Sequence, residues 1–172
     1  MAAAKAIGIR DGWKAVTIRS VATELGYTSP LLYEHFQNKE DLLTGIASDG
    51  MDQLKVLLTQ MPQEDAERNV IGMIRLYWTF LHENKQLYRL MNGMDGVAID
   101  RDVLNTYALD FCRAVTASIR PLLGPDASDE DARIVTDELW ALLHGMASLY
   151  LDRDVLFDAD KAANACMKLI RR

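Results

Sequence analysis

The chain is predicted to be all-α. Two observations predict this. Breakers are few, with four prolines in 172 residues and the glycines mostly in short clusters. Between them the apolar residues recur three and four positions apart rather than alternating, which is the helical period. A chain of this length makes one domain or two small ones sharing a core. With 49% hydrophobic and 26% charged residues it is too apolar for a disordered segment and too charged for a membrane bundle.

Local signals define the first elements. Thr17 is a good N-cap for a short amphipathic helix carrying Ile18, Val21, Ala22 and Leu25, and Gly26 closes it. After Tyr27 and Thr28 a second short helix runs from Ser29 to Phe36, with Pro30 tolerated in its first turn, where an amide would be unpaired anyway. Asn38 caps a long helix through Leu42, Leu43, Ile46, Ala47, Met51, Leu54 and Leu58, with Glu40 and Asp41 placed to suit the helix dipole. Two short helices around a glycine turn bury little surface and need flanking helices. Their spacing fits a helix-turn-helix, whose second helix enters a major groove, and also an ordinary αα corner.

The rest continues in helices. Val70, Ile74, Tyr77 and Leu81 form a stripe that Ile71, Met73, Trp78 and Phe80 widen until the helix is apolar nearly all round, as in a buried central helix. Leu104, Tyr107, Phe111, Val115, Ile119 and Leu122 make another, and Pro121 near its end predicts a kink or stop. From Ala132 to Leu151 two apolar faces lie side by side, one for the core and one for a partner. The last helix, Asp158 to Arg172, gathers Ala159, Ala162, Ala163, Cys166, Leu169 and Ile170 on one side, small residues that permit close helix approach. Loops are expected at Met61 to Glu64, Asn92 to Asp100, Gly124 to Asp129 and Asp152 to Phe157.

Composition excludes several classes. Cys112 and Cys166 are far apart, with no CxxC, which excludes a disulfide scaffold and a cysteine zinc site. No apolar run is long enough for a transmembrane helix, and the start lacks a secretion signal, so a cytoplasmic location is expected. HExxH, paired ExxH, Walker and GxSxG motifs are absent, and His35, His82 and His144 fall in separate segments, so neither an enzyme, a metal site nor a cofactor is expected. Residues 1–50 hold five Lys/Arg against six Asp/Glu, and the remainder 14 against 19. Bulk charge does not advertise a nucleic-acid binder.

The stretch VTIRSVATELGYTSPLLYEHFQNKEDLL, Val16 to Leu43, nevertheless resembles the DNA-binding signature of the tetracycline-repressor (TetR) family of transcription regulators. The matching positions are Thr17, Arg19, Ala22, Gly26, Pro30, Leu32, Tyr33, His35, Phe36, Lys39 and Leu42. Further on, LWALLHGMASL, Leu139 to Leu149, is similar to the Trp/His/Gly segment of one ligand-domain subfamily, and ENKQLYRLMNG, Glu83 to Gly93, resembles the stretch that precedes it there. The resemblance implies a helix-turn-helix DNA-binding domain at 1–47, its first helix begun within rather than before, and a ligand-binding and dimerisation domain at 48–172.

It also implies roles. Thr17 would offer its hydroxyl and nearby amides to a phosphate. Arg19 would reach a guanine edge or a phosphate. Thr28, Ser29, Pro30 and Leu31 would form the base-reading edge, Pro30 and Leu31 meeting a thymine methyl, while Tyr33, His35 and Lys39 would grip phosphates. Leu32 and Phe36 read as core, and His35 also as a local hydrogen-bonder. Glu34 and the near-zero charge of the module imply weak non-specific affinity.

For the second domain the resemblance implies a pocket among Tyr77, Trp78, Met91, Met94, Tyr107, Phe111, Trp140 and His144, taking a small, largely apolar or aromatic effector. The same residues also read as plain core. The last two helices would pair with their symmetry mates, so that a homodimer presents two recognition helices to a pseudo-palindromic operator. Repression relieved by ligand is the behaviour implied. The other reading is a ligand- or protein-binding helical module that has lost DNA binding.

Overall fold

The computed structural model describes residues 1–62, 64–151 and 158–171. Among these residues there are nine α-helices, a 3-10 turn and no strand. They are α1 (Ala2–Asp11), α2 (Ile18–Leu25), α3 (Ser29–Tyr33), α4 (Lys39–Thr59), α5 (Ala66–Glu83), α6 (Lys85–Met91), α7 (Arg101–Ile119), α8 (Asp129–Tyr150) and α9 (Ala159–Ile170), with the 3-10 turn Arg120–Leu123 after α7. The loop expected at Asp152 to Phe157 lies outside the described residues. The helices group into two compact units, one of 1–53 with 84–108 and one of 54–83 with 109–171.

In the first unit α2 starts as its sequence dictates. The Thr17 hydroxyl accepts from the Ser20 amide at 2.9 Å, and the Ser20 hydroxyl accepts from the Thr17 amide at 2.9 Å, a reciprocal capping box. Gly26 ends the helix at φ 70°, ψ 23°. The Tyr27 amide donates to Ala22 O at 2.8 Å and that of Gly26 to Thr23 O at 3.1 Å, the two bonds of a Schellman motif. α3 is shorter than expected and stops at Tyr33. The amides of His35 and Phe36 both turn back to Leu32 O, at 3.1 and 3.0 Å, which brings half-buried Phe36 toward the core. Asn38 caps α4 through the Asp41 amide at 2.9 Å, while the Asp41 carboxylate accepts from the Gln37 amide.

Beneath these turns lie Ile18, Val21, Ala22, Leu32, Leu42, Leu43, Ile46 and Ala47, all buried. Trp13, 1% exposed, fixes the corner before α2: its Nε1 donates to Gln86 O at 2.8 Å. A Cβ on Gly8 would stand 2.3 Å from the Trp13 ring, so only glycine lets α1 close over it. α6, a helix the apolar spacing did not predict, crosses α4 at Gly50, where a Cβ would lie 2.8 Å from Met91 Sδ. The Asp100 amide donates to the buried Thr44 hydroxyl at 2.8 Å, tying the start of α7 to the same core.

The second unit is built around α5, whose Val70, Ile74, Tyr77, Trp78, Phe80 and Leu81 are buried. Pro121 ends α7 in the 3-10 turn, as predicted. Ser128 and Asp131 form a capping box for α8, and Asp158 caps α9 through the Lys161 amide at 2.8 Å. α9 packs on α5 and α8 of its own chain. Its alanine row, expected to meet a symmetry mate, is therefore covered internally: Ala162, Ala163 and Cys166 are buried, and Arg75 pairs with Asp160 at 2.7 Å across the α5–α9 contact. The small and apolar residues left outward on the last two helices lie on α8, with Ile134, Ala141, Gly145, Ser148 and Leu149 exposed, while the exposed residues of α9 are the polar Asp160, Lys161, Asn164 and Lys168.

Candidate nucleic-acid interface

The short α3 has one inward anchor, Leu32, and turns nearly everything else outward. Thr28, Pro30, Leu31, Tyr33 and His35 are exposed and Ser29 is half-buried. Tyr33 is 57% exposed, a large surface for an aromatic side chain with no recognition task. Arg19, in the first turn of α2, is exposed, and its guanidinium makes no hydrogen bond or ion pair among the described residues. Thr17 differs from expectation in one respect. Its amide and hydroxyl both donate to the Ser20 hydroxyl, so the open donors of this helix start are the amides of Ile18 and Arg19, which no intrahelical carbonyl reaches.

Charge here is sparse and localised. Lys5 is paired with Asp49, and Arg10 with Asp11 at 2.9 Å and Glu24 at 3.4 Å. Of the five cations in residues 1–50, this leaves Lys14, Arg19 and Lys39 without a carboxylate partner among the described residues. Lys39 Nζ donates to Lys14 O at 2.8 Å, and its partial burial lowers its pKa from the ordinary lysine value. One of its three N–H donors is thus used, and it is held beside the turn that precedes α2.

Sequence reasoning missed two residues of this surface. Tyr27 stands 58% exposed immediately ahead of α3, and Lys14 is exposed beside Lys39. An aromatic just after a helix-ending glycine and a lysine in a turn carry no periodic signal, so only the fold shows Tyr27 exposed ahead of α3 and Lys14 beside Lys39.

The expected ligand residues divide. Tyr77, Phe111 and Trp140 line one apolar cavity in the second unit, with Val70, Met73, Ile74, Cys112, Val115, Thr136, Leu139 and Leu143. The three rings are mutually in contact, with centroids 5.5–6.1 Å apart. His144 stands beside them, its ring 4.4 Å from Trp140 and its Nδ1 3.5 Å from the Tyr77 hydroxyl, and burial lowers its pKa below the ordinary 6.5. Trp78 does not line this cavity and packs on His82, with ring centroids 5.3 Å apart. Met91, Met94 and Tyr107 belong to the first unit, so the structure does not gather them with the rest.

The cavity measures about 30 Å³, room for a water or two. Its polar neighbours are occupied already: the Thr116 and Thr136 hydroxyls are 2.9 Å apart, and the Thr136 hydroxyl also reaches Ala132 O at 2.8 Å. Burial, with Asp137 adding to it, raises the pKa of the Cys112 thiol, which keeps it protonated. Among the described residues no group of three or more His, Cys, Asp or Glu is placed to hold a metal ion, and no helix is long and apolar enough to cross a membrane.

A capped helix-turn-helix with an outward reading edge, joined to a helical unit with an apolar interior, defines a DNA-binding transcription regulator of the one-chain type. Residues 1–46 match the family model of bacterial regulatory proteins of the tetR family, and residues 70–170 match that of the tetracyclin repressor-like C-terminal domain. The chain belongs to the TetR family. It is 28% identical over 155 residues to the uncharacterized HTH-type transcriptional regulator Rv0681 of Mycobacterium tuberculosis, covering 90% of this chain and 69% of that protein. It is 27% identical over 141 residues to the nucleoid occlusion factor SlmA of Idiomarina loihiensis, covering 80% and 69%. In fold it is similar to the TetR family regulator PfmR of Thermus thermophilus, with a TM-score of 0.73, 17% identity and coverage of 98% and 94%. A protein of unknown function from Rhodococcus sp. RHA1 is similar with a TM-score of 0.78, 19% identity and coverage of 99% and 91%.

Proposed function

We propose that this TetR-family regulator is a repressor that binds a pseudo-palindromic operator as a homodimer and is released by a small, largely apolar ligand. The observation that carries the DNA-binding half is the outward edge of α3, Thr28 to Tyr33, beside the unpaired Arg19 guanidinium. Arg19 has the reach and donors for a guanine edge, and Pro30 and Leu31 are apolar and exposed, as contact with a thymine methyl requires. The amides of Ile18 and Arg19 suit a phosphate, as do Tyr33, His35 and Lys39. A DNA partner supports a cytoplasmic location.

The outward face of α8, a row of small and apolar residues, supports self-association. A Cβ on Gly145 would meet nothing within 4 Å, so a second copy of α8 can approach closely there. Light scattering at micromolar concentration should give twice 19.3 kDa, and a stable 19.3 kDa species contradicts the dimer.

The aromatic-lined cavity supports an uncharged, largely apolar effector, since its lining residues include no charged side chain that would compensate a buried charge. The spacing of Trp140, His144 and Gly145 supports placing this unit in the Trp/His/Gly subfamily. Ligand entry is coupled to α4, whose residues are divided between the two units.

The test is an electrophoretic shift with DNA from upstream of the protein's own gene. Arg19→Ala combined with Tyr33→Phe should abolish the shift. A wild-type chain that shifts no operator at low salt is instead a module without DNA binding. In a reporter strain, expression that falls with the protein present and returns with an apolar ligand establishes repression. Expression that rises makes the protein an activator. Operator affinity unchanged across a broad panel of hydrophobic compounds removes the effector.

A further inference from the structure

A groove of about 550 Å³ opens in the first unit, lined by Lys14, Asn38, Lys39, Glu40 and the loop Gly96, Val97 and Ala98. We propose that this groove seats the sugar-phosphate backbone of the operator just outside the bases that α3 reads, with Lys14 as the additional phosphate contact. The inference rests on the DNA-binding reading above and extends it to a surface that the helix-turn-helix does not include.

Charge complementarity is the first argument. Lys5 and Arg10 are neutralised within the chain, so phosphate neutralisation falls to Arg19, Lys14 and Lys39. Two of these three line the groove. Lys14 is exposed and makes no side-chain hydrogen bond or ion pair among the described residues, and Lys39 is fixed beside it by its bond to Lys14 O. The loop adds donors: the amides of Gly96, Val97 and Ala98 make no hydrogen bond among the described residues. Ammonium groups and free amides are the donors that phosphodiester oxygens accept from.

Continuity is the second argument. Lys14 lies three residues before Thr17, the cap of α2, and Asn38 is the cap of α4, so both ends of the groove join the surface already assigned to DNA. The trough is open rather than enclosed, which suits an extended polyanion better than a small anion. Glu40 on its rim repels phosphate and weakens the contact.

The full-length protein tests this by fluorescence anisotropy with a labelled operator over a salt series. Lys14→Ala, at an exposed position, should lower affinity severalfold at low salt, equally for operator and scrambled DNA, and reduce the slope of log K against log salt by about 0.9, one phosphate contact. Glu40→Gln should raise affinity for both DNAs. Trimming the duplex outside the half-sites should cost the wild type the same increment of slope and cost Lys14→Ala nothing further. A wild type that binds its operator while Lys14→Ala keeps the wild-type slope and affinity overturns the groove and leaves the helix-turn-helix reading standing. A wild type that binds no operator overturns both.

Discussion

The two units handle their polar and aromatic groups in opposite ways. In the first, the groups available for recognition stand outside a small core whose corners are fixed by direct contacts: Trp13 to Gln86, Thr44 to Asp100, Gly50 against Met91. In the second, the aromatic groups turn inward on each other around about 30 Å³ of space, far below the roughly 300–1,000 Å³ of a small-molecule site. A reader of DNA needs preset donors on an unyielding base. An interior that takes in an apolar molecule has to part, and van der Waals contacts between rings are individually weak.

Substitutions can break this contrast or sharpen it. The largest effect is expected at the rigid corner: Trp13→Ala should cost about 3–5 kcal/mol in urea unfolding, because it empties a fully buried indole site and removes the bond from Nε1 to the Gln86 carbonyl. Next comes Arg19→Ala, which should weaken operator binding by about 1–3 kcal/mol and leave the unfolding midpoint in place, since the exposed guanidinium makes no hydrogen bond or ion pair among the described residues. Gly26→Ala puts a Cβ at φ 70° and should destabilise by about 1–2 kcal/mol. In the second unit Thr136→Val removes one member of the hydroxyl pair and should cost about 1 kcal/mol by thermal or urea unfolding.

The smallest effect is one of pH. Burial depresses the folded pKa of His144, so above the unfolded value near 6.5 the ring is neutral in both states and the stability is fully present. As pH falls below 6.5 the unfolded chain binds the proton more readily, and stability is lost as pH passes through the folded pKa. His144→Phe should flatten this part of the stability curve. An unchanged curve overturns this reading.

Local signals in the sequence sufficed where structure is decided within a few residues. Thr17, Gly26 and Asn38 announce their helix ends because caps are short-range, and Pro121 its stop. α6 escaped notice because Leu87, Tyr88, Leu90 and Met91 are all buried within seven residues, too few turns for a stripe to show. That Tyr77, Phe111 and Trp140 share one cavity was not legible in their spacing. Methionine and tyrosine look alike wherever they are buried, and whether Met91 and Tyr107 share a space with Trp140 is settled by tertiary packing. The alanine row of α9 was read correctly as a close-approach face, but spacing does not say which helix approaches. Tyr27 owes its exposure ahead of α3, and Lys14 its place beside Lys39, to the shape of the turns around them.

The interleaving of α6 with the N-terminal helices bears on chimeras. A reader transplanted as residues 1–47 onto another sensor would arrive with its Trp13 indole lacking the Gln86 acceptor and its Thr44 hydroxyl lacking the Asp100 amide. A working graft has to carry the stretch 84–108 along with the N-terminal helices, although the two are far apart in the gene.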